Sequence, residues 1–285
     1  MSIILDGFTT AKKYRENLKK EFASLSSVTK PMLLVILVGH DAASEIYVRN
    51  KVKACEYVGF ESSVFHLPHN ISQEDVISCI RTANENPDVH AILVQLPLPP
   101  HLNTREVIES ISPHKDADGL HPYNLGRLVQ ENPIVAPCTP RGIVRLLQEY
   151  EISVSGRHVV IIGRSIIVGK TMSLLMMSNT TFGNATVTVC HSRTPNIEHY
   201  TKEADILIVA VGKPRCITAD MIREGAVVID VGISKTGEGL EGDCDFHSML
   251  PKVYAITPVP KGVGPMTIYE LLHNTFLLWR KQNGK

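Results

Sequence analysis

Charge of neither sign prevails in this 285-residue chain, which holds 29 Lys plus Arg against 29 Asp plus Glu. That balance argues against non-specific nucleic-acid binding, which draws on clustered basic residues. No CxxC pair occurs among the six cysteines (Cys55, Cys79, Cys138, Cys190, Cys216, Cys244), and no HxH or HExxH group among the twelve histidines. Sequence spacing therefore offers no metal site. Scattered thiols in a chain of this size are expected to be reduced and mostly buried, which fits a cytoplasmic protein. No apolar run approaches the ~18 residues of a membrane span. The opening "MSIIL" is too short for a secretory h-region. Internal repeats and low-complexity segments are absent.

What is present is an apolar fraction of 44%, enough for sizeable buried cores and room for two domains. Short β-branched runs alternate with helical patterns. Strands are expected at 32–38, 62–67 and 91–96, with helices at 44–58 and 73–86 between them, capped by Asp41 or Ser44 and by Ser72. A second series of strands follows at 158–163, 185–190, 204–212, 226–232 and 253–259. These runs are apolar at successive positions, as in parallel strands buried on both faces. The fold class is α/β, two domains each with a mostly parallel sheet flanked by helices. Three prolines in "PIVAPCTPRG" (133–142) mark the boundary. The first domain takes residues 1–139, with an amphipathic helix at 265–285 packing back on it, and the second takes 140–264.

"GRSIIVGKT" (163–171) closes an apolar strand and opens a helix. It ends like a triphosphate loop, but five residues rather than four separate Gly163 from the Gly169–Lys170 pair. The extra residue opens the nest of N–H groups that would hold a phosphate. As a dinucleotide loop, Gly163 allows the tight turn and Gly169 lets the helix start close to the sheet. A regular GxGxxG is absent, and a plain strand-to-helix turn also suits these residues. The next strand ends in "CHSRT" (190–194), with no carboxylate for ribose hydroxyls. Ser192 with Arg164 or Arg193 suits the extra phosphate of NADP rather than NAD. Gly212 and Gly232 follow later strands at the edge where such a cofactor lies.

In the first half, Tyr47 and Lys51 stand four apart on one helix face. Tyr-xxx-Lys also occurs in short-chain dehydrogenases, but there the glycine loop precedes the pair. Gln95 ends an apolar strand and must find a partner. Asp116 and Asp118 precede a glycine in a proline-bounded loop, and Asp118 offers two acceptors to the NH/NH₂ edge of a heterocycle.

Nine segments carry a resemblance over nearly the whole chain: "YVRNK", "VQLPLP", "KDADGLHPYNLGRL", "PCTPRG", "GRSIIVGK", "HSRT", "ADILIVAVGKP", "VVIDVGIS" and "ITPVPKGVGPMT". In this order they resemble the bifunctional methylenetetrahydrofolate dehydrogenase/cyclohydrolase family. The resemblance implies oxidation of 5,10-methylenetetrahydrofolate with NADP⁺, hydrolysis of the methenyl product to 10-formyltetrahydrofolate, two domains around a cleft, the second Rossmann-like, and a homodimer. It implies Lys51 as general base, Tyr47 and Gln95 as positioning groups, and Asp118 as pterin anchor. Pro258, Val259 and Pro260 would also line the substrate, and Gly163, Arg164, Ser165, Gly169, Ser192, Gly212 and Ile233 the cofactor. Lys51 takes a proton only when neutral, a state that burial and a substrate cation both favour. Two departures stand out: Lys261 where the family usually has glycine, and Thr171 where it commonly has proline. A dehydrogenase without the hydrolytic step and a non-catalytic folate- or nucleotide-binding protein remain alternatives.

Overall fold

The computed structural model describes residues 2–25, 29–237 and 239–284. Its strands are β1 (Ile3–Ile4), β2 (Met32–Val38), β3 (Glu61–Leu67), β4 (Ala91–Val94), β5 (His158–Ile162), β6 (Thr186–Cys190), β7 (Ile206–Val209), β8 (Val227–Asp230), β9 (Ser234–Thr236), β10 (Gly239–Glu241) and β11 (Ala255–Ile256). Its α-helices are α1 (Gly7–Ala23), α2 (Ala42–Val58), α3 (Gln73–Glu85), α4 (Thr104–Glu109), α5 (Pro122–Val129), α6 (Cys138–Glu149), α7 (Gly169–Met177), α8 (Ile197–Glu203), α9 (Phe246–Met249) and α10 (Val263–Gln282). They form two compact units. One joins Lys13–Cys138 to the chain from Ile268 onward, and the other joins the residues up to Lys12 to Thr139–Thr267.

The first unit holds a three-stranded parallel sheet in the order β3-β2-β4. Its central strand reads MLLVILV without alternation, and Leu33 to Val38 are all buried. Side chains of a central parallel strand are covered on both faces, so no polar position is tolerated there. Asp41 caps α2 by accepting from the Ser44 N–H at 2.8 Å, and the helix stops at Gly59, whose φ of 88° few other residues adopt. Ser72 caps α3, accepting from the Asp75 N–H at 3.1 Å. Val76, Ile80 and Ala83 then line one stripe of α3 and are buried against β2 and β4 residues.

Within this unit α10 brings aromatic mass to α1 and to Phe60, the residue before β3. Trp279 stacks on Phe276 with centroids 5.8 Å apart, and Phe22 meets its ring edge-on at 5.7 Å. Phe276 in turn stacks on Phe60. The indole N–H is satisfied by Thr29 Oγ1 at 3.3 Å, which removes the cost of burying it.

The second unit is a six-stranded parallel sheet in the order β1-β11-β8-β7-β5-β6. Counted along this unit's own run, β5 to β11 lie in the doubly wound order 2-1-3-4-5. That order places its switch point between β5 and β7, where ligands of open α/β sheets bind beyond the strand ends. Ile3 and Ile4 pair here with Ala255 and Ile256, whereas the sequence reading assigned residues 1–12 to the other domain. Two isoleucines are too short a run to show a period. The antiparallel β9–β10 hairpin was likewise not expected. It returns the chain to the end of β8.

Trp279→Ala removes the centre of the aromatic group and is expected to cost about 3–5 kcal/mol. Urea unfolding followed by circular dichroism measures it, and an unchanged midpoint would contradict this packing.

Candidate active site

Tyr47 and Lys51 share a face of α2, as their spacing requires. Lys51 is buried, and its Nζ donates to Gln95 Oε1 at 2.9 Å. Gln95 follows β4 directly; its Nε2 donates to the Leu96 carbonyl at 2.6 Å, which fixes which amide atom faces the lysine. Burial holds the Lys51 ammonium below the ordinary lysine range, against the opposing pull of Asp118 and Cys138. Burial also raises Asp118, while Lys51 draws it back down. The two shifts run in the direction that stabilises a neutral amine. Tyr47 is half-buried, and burial raises its phenol as well.

The Asp118 loop is held by groups that sequence reasoning did not assign. Asp116 accepts from the Gly119 N–H at 3.0 Å, the His121 N–H at 2.8 Å and Asn124 Nδ2 at 2.8 Å. Gly119 has φ 70°, and a Cβ there would meet the Ala136 carbonyl carbon at 2.6 Å, so no side chain fits. From α10, Asn274 Nδ2 reaches the carbonyls of Ala117 and Ala136, each at 2.9 Å. The buried Cys138 thiol faces Asp118 and is pushed well above its ordinary range by burial and that carboxylate. It is therefore a hydrogen-bond donor to the loop rather than a nucleophile. The one sequence trace of this arrangement was available in α10: Glu270 and Asn274, four apart, are both buried on its apolar face.

In the other unit the glycine turn follows β5. Gly163 has φ 121°, and a Cβ there would run into the Ala210 carbonyl after β7; one on Gly169 would run into the Gly163 carbonyl. The turn thus presses against the adjacent strand end and against the start of α7. The N-cap of α7, Val168, supplies no side-chain cap; the Lys170 N–H donates to the Ser165 carbonyl at 3.0 Å, so it is the N–H groups of Gly169 and Thr171 at this helix start that can face an anion. Thr171 is buried and donates its hydroxyl to the Val168 carbonyl at 3.0 Å. Arg164 and Ser165 are exposed in the turn. After β6 the chain makes a tight turn in which the His191 N–H donates to Thr194 Oγ1 at 2.9 Å, leaving Ser192 and Arg193 exposed. Gly163 N donates to the Cys190 carbonyl at 2.9 Å, which ties the ends of β5 and β6 together.

Two buried carboxylates set the next loops. Asp243, fully buried, accepts from the N–H groups of Val211, Gly212 and Lys213 at 2.7, 3.0 and 2.8 Å. Asp230 accepts from Gly232, Asp243 and Cys244 N–H groups at 3.1, 2.9 and 2.8 Å. Burial raises Asp230 to about 6 despite these donors. Gly232 has no room for a Cβ, which would enter the Asp243 carboxylate. Ile233 beyond it is 37% exposed. Pro258 and Val259 are half-buried and Pro260 is exposed. Lys261 follows with φ 87°, a left-handed conformation that favours glycine. Its carbonyl accepts from Phe8 N–H at 2.9 Å, and its charge helps hold Asp6 below the usual carboxylate range, an effect led by the Thr9 hydroxyl bond.

The doubly wound sheet with its glycine turn and uncapped helix defines a nucleotide-binding α/β protein, joined in one chain to a unit with a buried, hydrogen-bonded lysine. Residues 5–118 match the family model of the tetrahydrofolate dehydrogenase/cyclohydrolase catalytic domain, and residues 137–283 that of the family's NAD(P)-binding domain. The chain belongs to the tetrahydrofolate dehydrogenase/cyclohydrolase family. The bifunctional protein FolD of Aquifex aeolicus is 52% identical over 285 residues, covering 99% of this chain and 97% of that one. A crystal structure of the FolD methylenetetrahydrofolate dehydrogenase/cyclohydrolase of Campylobacter jejuni is 43% identical, with a TM-score of 0.92 over 99% of this chain and 100% of that one. The Trypanosoma brucei enzyme complexed with NADP and inhibitor is 36% identical, with a TM-score of 0.94 over 100% and 99%. Among the described residues, no helix is long and apolar enough to cross a membrane.

Asp243→Asn leaves one acceptor and an NH₂ group facing three N–H donors, a loss of about 1–3 kcal/mol. Weaker nicotinamide-cofactor binding and a lower melting temperature are expected, by fluorescence titration and calorimetry. Unaltered cofactor affinity would show that the 211–213 loop does not need this carboxylate.

Proposed function

We propose that this chain oxidises 5,10-methylenetetrahydrofolate to 5,10-methenyltetrahydrofolate with NADP⁺ and hydrolyses the product to 10-formyltetrahydrofolate. The observation that carries the hydrolytic half is the buried Lys51 amine, held at 2.9 Å by Gln95 and displaced by burial toward its neutral form. Water adding to the cationic methenyl carbon must lose a proton. A neutral Lys51 accepts it, and the substrate's own positive charge further favours the uncharged amine. Gln95 spends one lysine N–H on its carbonyl and so orients the remaining lone pair. Asp118, braced by Asp116 and Asn274 through its loop, presents acceptors to the pterin amino edge. Tyr47 packs beside the ring system.

The residues after β5 and β6 fit a dinucleotide phosphate. Gly163 and Gly169 give close backbone approach, the start of α7 offers N–H groups, and Arg164 and Ser165 stand beside them. Ser192 and Arg164 supply donors for a 2′-phosphate, which favours NADP over NAD. Gly212 and Ile233 border the same face. When bound, the nicotinamide supplies the hydride acceptor; the chain's part is to position the ring and exclude water. Free thiols suit a reducing compartment such as the cytoplasm; the homodimer rests on the family resemblance alone, and light scattering tests it.

Lys51→Met is expected to lower methenyltetrahydrofolate hydrolysis by about 10²-fold or more, read from loss of methenyl absorbance. In the wild type that rate should rise with pH as Lys51 loses its proton, and the rise should vanish in the variant. Wild-type hydrolysis by Lys51→Met would remove Lys51 as the base. Replacing Ser192 or Arg164 by Ala should weaken NADP⁺ by roughly 1.5–3 kcal/mol, the scale of a charged hydrogen bond, with little effect on NAD⁺. Steady-state assays with both cofactors in parallel measure this. Equal losses for the two cofactors would mean that neither residue reads the phosphate.

A further inference from the structure

Histidine spacing along the chain suggested no metal site, yet the fold gathers two imidazoles and a carboxylate at one end of the first unit's sheet. His40 lies between β2 and α2, Glu45 is in the first turn of α2, and His66 is near the end of β3. His40 Nδ1 and Glu45 Oε1 are 3.2 Å apart, and the two imidazole rings meet edge to face at 4.4 Å between centroids. One nitrogen from each histidine and one Glu45 oxygen all lie within 4.8 Å of one another.

We propose that His40, Glu45 and His66 form a binding site for a single divalent transition cation of the zinc or nickel type. Two imidazoles and one carboxylate are the donor set that such borderline cations select over magnesium or calcium, which prefer oxygen alone. Bonds of about 2.0–2.2 Å set tetrahedral ligand edges of about 3.3–3.6 Å, which the 3.2 Å His40–Glu45 spacing already approaches; His40 is mostly exposed. His66 Nε2 lies 2.6 Å from the Gly39 carbonyl, where it donates its proton. A cation on Nδ1 leaves that bond in place, the second nitrogen donating to a backbone carbonyl as is usual for a metal-ligating histidine; a cation on Nε2 would move the hydrogen to Nδ1, and in either case a proton leaves only if the ring was charged. The start of α2 opposes a cation through its dipole; Glu45 and the capping Asp41 offset it. The bound ion would join the entry of the Tyr47–Lys51 helix to β3, an effect independent of folate or cofactor binding.

The experiment is isothermal titration of the full-length, reduced protein with Ni²⁺ and separately with Zn²⁺, with Mg²⁺ as control, beside thermal melts. One equivalent of Ni²⁺ or Zn²⁺, a raised melting temperature, and no Mg²⁺ uptake are expected. His40→Ala, His66→Ala and Glu45→Gln should each weaken binding by at least about ten-fold. His69→Ala and His101→Ala, on nearby histidines whose rings lie 6.0 Å apart, should leave it unchanged. The assignment is overturned if no stoichiometric uptake occurs, if the His40/His66 double variant binds as well as wild type, or if the His69 and His101 variants lose the ion instead. Circular dichroism of each variant confirms that a lost site is not a lost fold.

Discussion

A lysine amine taken out of water is the constraint on which the chemistry rests. An ammonium is costly to bury without a full set of partners. Lys51 has one close acceptor, Gln95, and a carboxylate neighbour, Asp118, that is itself shifted toward its neutral form. A strong, fully ionised pair would lock the proton on the amine and abolish it as a base. A lysine with no partner at all would be free to turn away. The intermediate arrangement, one neutral acceptor and one weakened charge, keeps the amine in place while leaving its proton exchangeable.

The surroundings make sense as the means of keeping that arrangement rigid. Asp116 gathers two backbone N–H groups and the Asn124 amide, and Asn274 crosses from α10 to two carbonyls of the neighbouring loops. The aromatic packing of Trp279, Phe276 and Phe22 anchors the helix that delivers Asn274. In the other unit the same logic recurs with different parts. Buried Asp243 and Asp230 each collect three backbone N–H groups, so the loops after β7 and β8 are shaped by carboxylates rather than by side-chain packing.

Much of this was legible in the chain. Uninterrupted apolar runs placed β2 and β5 to within a residue, because a strand covered on both faces admits no polar position. Gly163 and Gly169 announced the turn, and each stands where a Cβ has no room. Tyr47 and Lys51 declared a shared face through their spacing alone. The misses have physical reasons as well. Ile3–Ile4 is too short to show a period, and so are the three-residue strands of the β9–β10 hairpin. Asp116 looked like a second copy of Asp118 until the backbone N–H groups around it marked it as a structural acceptor.

By itself the sequence determined the α/β alternation, the helix face bearing Tyr47 and Lys51, and the glycine turn between β5 and α7. Each depends on periodicity or on the conformational range of a single residue, which are local properties. Only the tertiary structure decided that Lys51 meets Gln95 from 44 residues away, that Asn274 braces the Asp118 loop, and that His40, Glu45 and His66 converge. Partners distant in the chain are brought together by sheet order and helix packing, and no spacing rule records where those packings end.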